Sequence, residues 1–389
     1  MQSRKKIWFF YPSGPKLTGQ ELASIMILEL LASDEHLIFK PVTLPTFDRE
    51  RMSSVFNWVS FSARILLIWS KLLSLLVARR PIVYLNLGQS FKSLFCDGIP
   101  FCILALLNRR LLSVVSLHGH FFMMWPPNSY KSHLIVCILR KSQIITVLGP
   151  FQKNRLMALG IENHKIRIVN NTCQHEMALC APITASGKKI NILYLSNLVE
   201  SKGYRQYLDT LDILGQLISL PRLIQATLCG SLMQTAQNRI NISEEEARIR
   251  QAINKINESV SVRLEWIKAA YGLEKAKLFA DADIFVYPSK LDAQPIVLVE
   301  AMAAGCAVIS SSVGEIPDML AEGSGVCLDN CSPENIAKVI KNWVAHPQEL
   351  ISQKQAARKR FESQFSNKIY ASTWLSIIYN LEQGSGNRA

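Results

Sequence analysis

Residues 289–305 read SKLDAQPIVLVEAMAAG. Two acids, Asp292 and Glu300, stand eight apart, with a proline between them and Gly305 closing the stretch. Immediately upstream, Asp283-Ile-Phe-Val-Tyr-Pro288 is an apolar run of strand length. The pattern is strand, loop, helix. Pro295 suits the first helical position, which leaves the N–H groups of Ile296 and Val297 unpaired at the helix start, a place that attracts phosphate. Glu300 falls about one and a half turns inside this helix. A carboxylate there, facing a cleft, accepts hydrogen bonds from two neighbouring hydroxyls, such as a ribose offers. Asp292, on the loop, reaches a group beyond the phosphates. Taken singly, each acid reads as easily as a loop solvator or a helix-surface charge; it is their joint placement that points to a nucleoside diphosphate carrying a polyhydroxy group.

Working outward, short β-rich runs alternate with helical stretches: Leu112–Leu117, Gln143–Leu148, Lys165–Val169, Ala226–Cys229, Ile284–Tyr287 and Ala307–Ser311. This is the signature of βαβ units around parallel sheets. Each half opens alike. Ile7–Phe10 reads as a strand, followed by a Gly/Pro loop and a helix that starts near Gly19, where Thr18 and Glu21 have capping-box spacing. Ile190–Ser196 reads as the second opening strand, followed by the loop 197–203 and a helix from about Tyr204. The stretch Cys180-Ala-Pro-Ile-Thr-Ala-Ser-Gly187 reads as the linker. The expectation is an α/β protein of two doubly wound, Rossmann-like domains facing across a cleft: residues 1–182 on the acceptor side, 183–365 on the donor side, and a C-terminal helix in 366–389 packing back toward the first domain. In such sheets ligands bind beyond the C-terminal strand ends. Those ends offer Asn197 and Lys202, then Gly230, then Asp292; Lys202 adds a point charge for the same anion.

Bulk numbers narrow the class. A chain of 389 residues that is 49% hydrophobic has ample material for two cores. Net charge is +13, and residues 1–190 hold 23 lysines and arginines against 9 aspartates and glutamates, a balance of +14 that accounts for all of it. That half is expected to face something anionic, a membrane surface or a phosphate-bearing substrate. The basic residues form no aromatic-interleaved strip, which argues against nucleic acid. Nine scattered cysteines without a Cys-x-x-Cys pair read as reduced thiols in a cytoplasmic protein. The opening MQSRKKIWFFYPSG reads as a first strand, not a signal peptide. Residues 53–80 contain an apolar run flanked by Arg64 and Arg80, and 99–112 is a second such stretch with Arg109 and Arg110 inside it; each reads either as a helix lying in a membrane interface or as a buried helix with snorkelling ends.

The residues from 288 to 320, PSKLDAQPIVLVEAMAAGCAVISSSVGEIPDML, resemble the donor-site signature of glycosyltransferase family 4, whose members have the GT-B fold. YLSNLVESKG, LCGS and AKLFADADIFVYPS follow the family order, and SLHGH with KIRIVNNT match its His-Gly turn and the segment before the linker. The match is specific over roughly residues 190–330 and weaker over 111–175; before residue 110 only the opening strand and PSGPKLTGQE are similar. The resemblance implies a retaining, metal-independent hexosyltransferase with a nucleotide sugar as co-substrate and no other cofactor, UDP being the commonest carrier. By motif position, Glu300 would hold the ribose and Lys202 the diphosphate. Asp292 with the Gln294, Pro295, Ile296 and Val297 backbone would contact the transferred sugar and its phosphates. Gly14 and Gly19 would approach the phosphates from the first loop, and His118 would sit near the sugar. Asn197 and Gly230 complete the donor side. Two departures stand out: the family often has Glu where Asp292 stands, and Arg where Asn197 stands. With the basic first half, the resemblance implies a lipid-linked or otherwise anionic glycan acceptor at the inner face of a membrane, in cell-surface polysaccharide or glycolipid synthesis. A GT-B nucleotide-sugar epimerase or hydrolase, or an inactive membrane-associated scaffold, would carry the same fold. Asp281-Ala-Asp283 has the look of a metal-binding pair, but falls where the family has a similar pair with no metal. His120, Trp125 and the Phe121–Met124 run read equally as an acceptor wall or as packing. Glu244-Glu-Glu246 reads as a solvated helix start.

Overall fold

The computed structural model of the protein describes residues 4–14, 18–45, 62, 65–72, 74–78, 80–90, 93–174, 189–217, 221–234 and 240–381. The chain divides into two compact units, residues 1–171 with 368–389, and residues 172–367. The linker expected at 180–187 lies outside the described residues.

The first unit is a six-stranded sheet: β1 (Lys5–Ser13), β2 (Leu37–Pro45), β3 (Ile82–Asn86), β4 (Leu112–Ser116), β5 (Ile144–Val147) and β6 (Ile166–Ile168), in the order β2-β1-β3-β4-β5-β6. Every pairing is parallel. The central strands β3 and β4 are buried at every position, as strands covered on both faces must be. At the edge, β2 alternates buried Val42 and Leu44 with exposed Lys40, Pro41 and Thr43. Pro41 is tolerated because an edge strand has a side with no partner to pair. After β1 the helix Gly19–Leu31 begins as expected, with Thr18 Oγ1 accepting from Glu21 N at 3.2 Å. The C-terminal helix Asn367–Asn380 packs on this unit: Tyr370 donates to Ala23 O at 3.3 Å, Tyr379 to Asp34 Oδ2 at 2.9 Å, and Trp374 meets Tyr84 edge-on at 5.6 Å.

The second unit holds β7 (Lys189–Leu195), β8 (Leu223–Cys229), β9 (Val262–Ile267), β10 (Ile284–Tyr287), β11 (Ala307–Ser311) and β12 (Val326–Leu328), all parallel, in the order β12-β11-β10-β7-β8-β9. The chain builds outward from β7 through β8 to β9, then returns to the other side of β7 and builds outward again from β10. The switch point is therefore between β7 and β10, and in open parallel sheets ligands bind beyond the carboxyl ends of the strands at such a point. Ile284 pairs with Ile192 and Phe285 with Leu193 to fix their register.

The loops after β7 and β10 are also stitched together. Lys290 N donates to Ser201 O at 2.8 Å and Ser289 Oγ to the same oxygen at 3.1 Å. Gly203 has φ +80°, and a Cβ there would stand 2.2 Å from the Pro288 carbonyl oxygen. Left-handed backbone and this close approach together require glycine. Gly203→Ala is expected to cost about 2 kcal/mol or more. Gly19→Ala, whose Cβ would meet nothing within 4 Å, should shift stability by less than about 1 kcal/mol. Urea unfolding followed by circular dichroism compares the two.

Candidate active site

Four side chains cluster at the β7/β10 switch point or beside it. Lys202 ends a single 3-10 turn after β7, and Asp292 lies on the loop after β10. Their charged atoms are 2.6 Å apart, with the side chains 25% and 17% exposed, so the pair stays within reach of a ligand. Tyr287, the last residue of β10, donates its hydroxyl to the same Asp292 oxygen at 2.7 Å, and the Ala293 N–H caps the other oxygen at 3.1 Å. Lys202 also donates to Leu291 O at 3.3 Å, and Tyr194 donates to Lys202 O at 3.1 Å. The loop after β11 supports this arrangement from behind, Glu315 N donating to Ala293 O at 2.7 Å.

From Asp292 the chain passes through buried Gln294 to Pro295 and into the helix Ile296–Ala303. Pro295 is the N-cap, so the helix proper begins one residue later than the sequence pattern suggested. No side chain caps this end. Among the first-turn amides, Leu298 N turns back onto Pro295 O. The start is a short electropositive end beside Lys202 and Asp292.

Glu300 lies on this helix with no exposed surface. Lys275, on the helix Gly272–Asp281, holds its Oε1 at 2.6 Å, while Oε2 has no hydrogen-bond partner. Burial raises the carboxyl above its usual range, and Lys275 opposes that rise. Cys173 feels the same charge: burial first, then Glu300, pushes its thiol up to about 12, so it remains a neutral thiol. Gly230, after β8, has φ +149° and would place a Cβ 1.8 Å from Ser196 O, which fits the close approach of the two strand ends. Asn197 is exposed at the end of β7.

Asp283 takes no part in this cluster. Its Oδ1 is held by buried Lys354 at 2.8 Å and its Oδ2 by the Asn191 N–H at 3.0 Å. Asp281 offers its backbone oxygen to Asn191. Among the described residues no group of three His, Cys, Asp or Glu is placed to hold a metal.

Gly14, Gly19 and His118 belong to the first unit. Gly14 directly follows β1, Gly19 opens the first helix, and residues 15–17 lie outside the described set. His118 follows β4, its Nε2 2.9 Å from Ser116 Oγ and 3.4 Å from the Tyr84 hydroxyl. The turn behind it is pinned by Gln152, which donates to Gly119 O at 3.0 Å, and by Gln89, which accepts from Phe122 N at 3.1 Å. The Phe121–Met124 run is one helical turn with Phe122 buried and Phe121 and Met124 exposed. Burial lowers His118 to about 4, with Asn171 pulling the other way.

Sequence reasoning missed Lys275 and Tyr287. Lys275 is one helical turn before buried Phe279 and next to buried Ala276, so the helical period would have turned it inward. Tyr287 read only as a core strand residue.

The family described as Glycosyl transferases group 1 matches residues 181–360. The chain is 20% identical to the uncharacterized 41.2 kDa protein in cps region of Klebsiella pneumoniae, over 66% of this chain and 68% of that protein. It is 23% identical to the putative colanic acid biosynthesis glycosyltransferase WcaL of Escherichia coli (strain K12), over 63% of this chain and 58% of that one. Among solved structures, Anabaena Alr3699/HepE in complex with UDP matches with a TM-score of 0.69 at 16% identity, covering 96% of this chain and all of the other. The fold is therefore of the GT-B kind, with two parallel six-stranded units. Residues 181–360, within the second unit, thus resemble a glycosyl transferases group 1 domain, and the protein is an enzyme of the glycosyltransferase class.

His118 gives a pH test. The folded ring stays neutral down to about pH 4, whereas an unfolded chain takes up a proton near the usual 6.5. The folded state binds fewer protons in that window. The stability contribution is thus full above about 6.5 and is lost as pH falls toward about 4. The His118 ring C–H signal should not titrate between pH 5.5 and 8 by NMR, and His118→Gln should flatten the acid-side loss of stability.

Proposed function

We propose that the protein is a retaining glycosyltransferase of the family 4 type, moving a sugar from a nucleoside diphosphate sugar to a glycan acceptor in polysaccharide assembly. The observation that carries this is Glu300: a carboxylate with no exposed surface and one oxygen unpartnered, on the helix whose start adjoins Lys202 and Asp292. A buried unpaired oxygen is costly to maintain without a ligand to complete it. In this reading two ribose hydroxyls bind at Glu300, the diphosphate at Lys202 and the Ile296–Val297 amides, and the sugar near Asp292, Gln294 and Pro295. Gly230 and Asn197 line the strand ends. As the bond from the sugar to the diphosphate breaks, negative charge gathers on the leaving oxygens, and Lys202 and the helix start stabilise it. The acceptor hydroxyl gains the sugar and gives up its proton, and the nucleoside diphosphate departs.

Support for a uridine carrier comes from the Anabaena structure, which is described as a complex with UDP. The place in polysaccharide assembly is supported by the name of the Escherichia coli relative. A lipid-linked or anionic acceptor at a membrane face is supported by the +14 balance of residues 1–190 and by two amphipathic surfaces. Of the run 53–80, residues 53–61 lie outside the described set. The described residues 65–72 are helical, with Ile68 and Leu72 buried and Leu66 70% exposed. The helix Ile99–Leu107 buries Phe101 and Leu104 but exposes Leu106 and Leu107, just before exposed Arg109 and Arg110. Each helix has both a core face and an open apolar edge. Among the described residues no helix is long and apolar enough to cross a membrane.

A thermal-shift scan against UDP, GDP and ADP tests the donor site. A ligand at a hundred times its Kd stabilises the folded state by about 2.7 kcal/mol, a rise of about 5 °C or more for a unit of this size. One nucleoside diphosphate should give this rise with the native chain and not with Glu300→Gln. No rise with any of them, in folded protein, would favour the scaffold alternative. In a transfer assay with the base so identified, Lys202→Ala should lower turnover at least about a hundredfold, as loss of a preorganised cation at developing charge does; unchanged turnover would remove Lys202 from this role. Sugar release without acceptor would indicate the hydrolase alternative.

A further inference from the structure

Asp283, Asp292 and Glu300 of the second unit are each paired with a lysine, and they are finished differently. Asp283 has Lys354 on one oxygen and the Asn191 amide on the other. Asp292 has Lys202 and Tyr287 on one oxygen and the Ala293 amide on the other. Glu300 has Lys275 on one oxygen and nothing on the other, although it is the most deeply buried of the three. A salt bridge kept for structure alone is expected to resemble Asp283, with its lone pairs filled. The Lys275 side chain is 15% exposed against none for Glu300.

An acceptor and a cationic donor 2.6 Å apart fit a vicinal diol better than either group alone. Each hydroxyl carries a proton for a carboxylate oxygen and lone pairs for an ammonium. We propose that Lys275 is a specificity-determining residue of the donor pocket, reading with Glu300 the two ribose hydroxyls of the nucleotide. The open Glu300 oxygen accepts from one hydroxyl, and the Lys275 ammonium donates to the diol while holding the other Glu300 oxygen. This rests on the reading above that Glu300 faces the ribose. It adds a second residue to that contact and gives the pocket a means of rejecting deoxynucleotides. A site built around a hydroxyl leaves its own buried groups unpaired when the hydroxyl is missing, which is the source of strong discrimination.

The test is isothermal titration of the full chain with UDP, GDP and ADP and with their 2′-deoxy counterparts, on the native protein, Lys275→Met and Lys275→Arg. For the base that binds, the native chain should prefer the ribonucleotide by about a hundredfold or more. Lys275→Met should reduce that preference to about tenfold or less, and Lys275→Arg should restore most of it. Lys275→Gln, which keeps a neutral hydrogen-bond donor beside the Glu300 carboxylate, covers the case in which Lys275→Met fails to fold; it too should lower the preference. If Lys275 only supports the fold, both sugars weaken equally, the ratio is unchanged, and the inference is overturned while the donor site stands. A native chain that binds none of the three ribonucleotides overturns the donor reading and this inference together.

Discussion

Side-by-side pairing of β7 and β10 is the constraint from which the site follows. The two strands are separated in sequence by two further strands and three helices, yet Ile192 lies against Ile284. Their loops leave the sheet edge in company, which brings Lys202 within 2.6 Å of an acid ninety residues away. The loops are then locked by the Ser289 and Lys290 contacts to Ser201 and by the glycine at 203, which lets one backbone touch the other. Asp292 and Glu300 lie close in sequence, but only Asp292 owes its cation, Lys202, to this pairing.

Buried ion pairs are poor devices for stability, because desolvation of both charges offsets most of their attraction. The lysine pairs at Asp283, Asp292 and Glu300 therefore call for a reason beyond the fold. Lys354 with Asp283 has a structural one: Asp283 fixes the Asn191 amide near the start of β7 and so helps set where β10 enters beside it. Lys275 with Glu300 has no such backbone to hold, and Lys202 with Asp292 reaches only the neighbouring Leu291 oxygen and Ala293 amide. Both stand on the ligand side of the sheet, where a preorganised charge gains in value as water is excluded.

Much of the second unit was legible in the sequence, since it consists of buried parallel strands whose apolar runs end sharply. Ile284–Tyr287 and Ala307–Ser311 match their strands to the residue. The strands left unmarked are mostly edges. Val262–Ile267 alternates Arg263 and Glu265 with Val262 and Leu264, and Leu37–Pro45 carries Lys40 and Pro41. Half-exposed strands dilute the apolar signal that marks a central one. Ile82–Asn86 is central and buried, but it follows the long apolar stretch 64–80 and was hidden by it. The acids of the site could be read because motif spacing is local. Lys275 and Tyr287 could not be assigned partners, since each meets its carboxylate through packing of separate elements rather than through sequence distance.

The two departures from the family pattern acquire a common physical meaning on the proposed reading. Asp292 is one methylene shorter than the glutamate often found there, and its carboxylate is drawn onto Lys202 and the Tyr287 hydroxyl. A shorter acid held by three donors is a fixed counter-charge for the lysine, and only part of its capacity is left for a sugar hydroxyl. At 197 an asparagine replaces the arginine, so the loop after β7 carries one cation fewer. The missing positive charge is present on another element: Lys275, on the helix Gly272–Asp281, stands at Glu300. On that reading the donor pocket keeps two cations, the second standing at the sugar of the nucleoside rather than at the phosphates. Charge stabilisation of the leaving group then falls on Lys202 and the helix start at Ile296, and the second cation is spent on recognition rather than on the breaking bond.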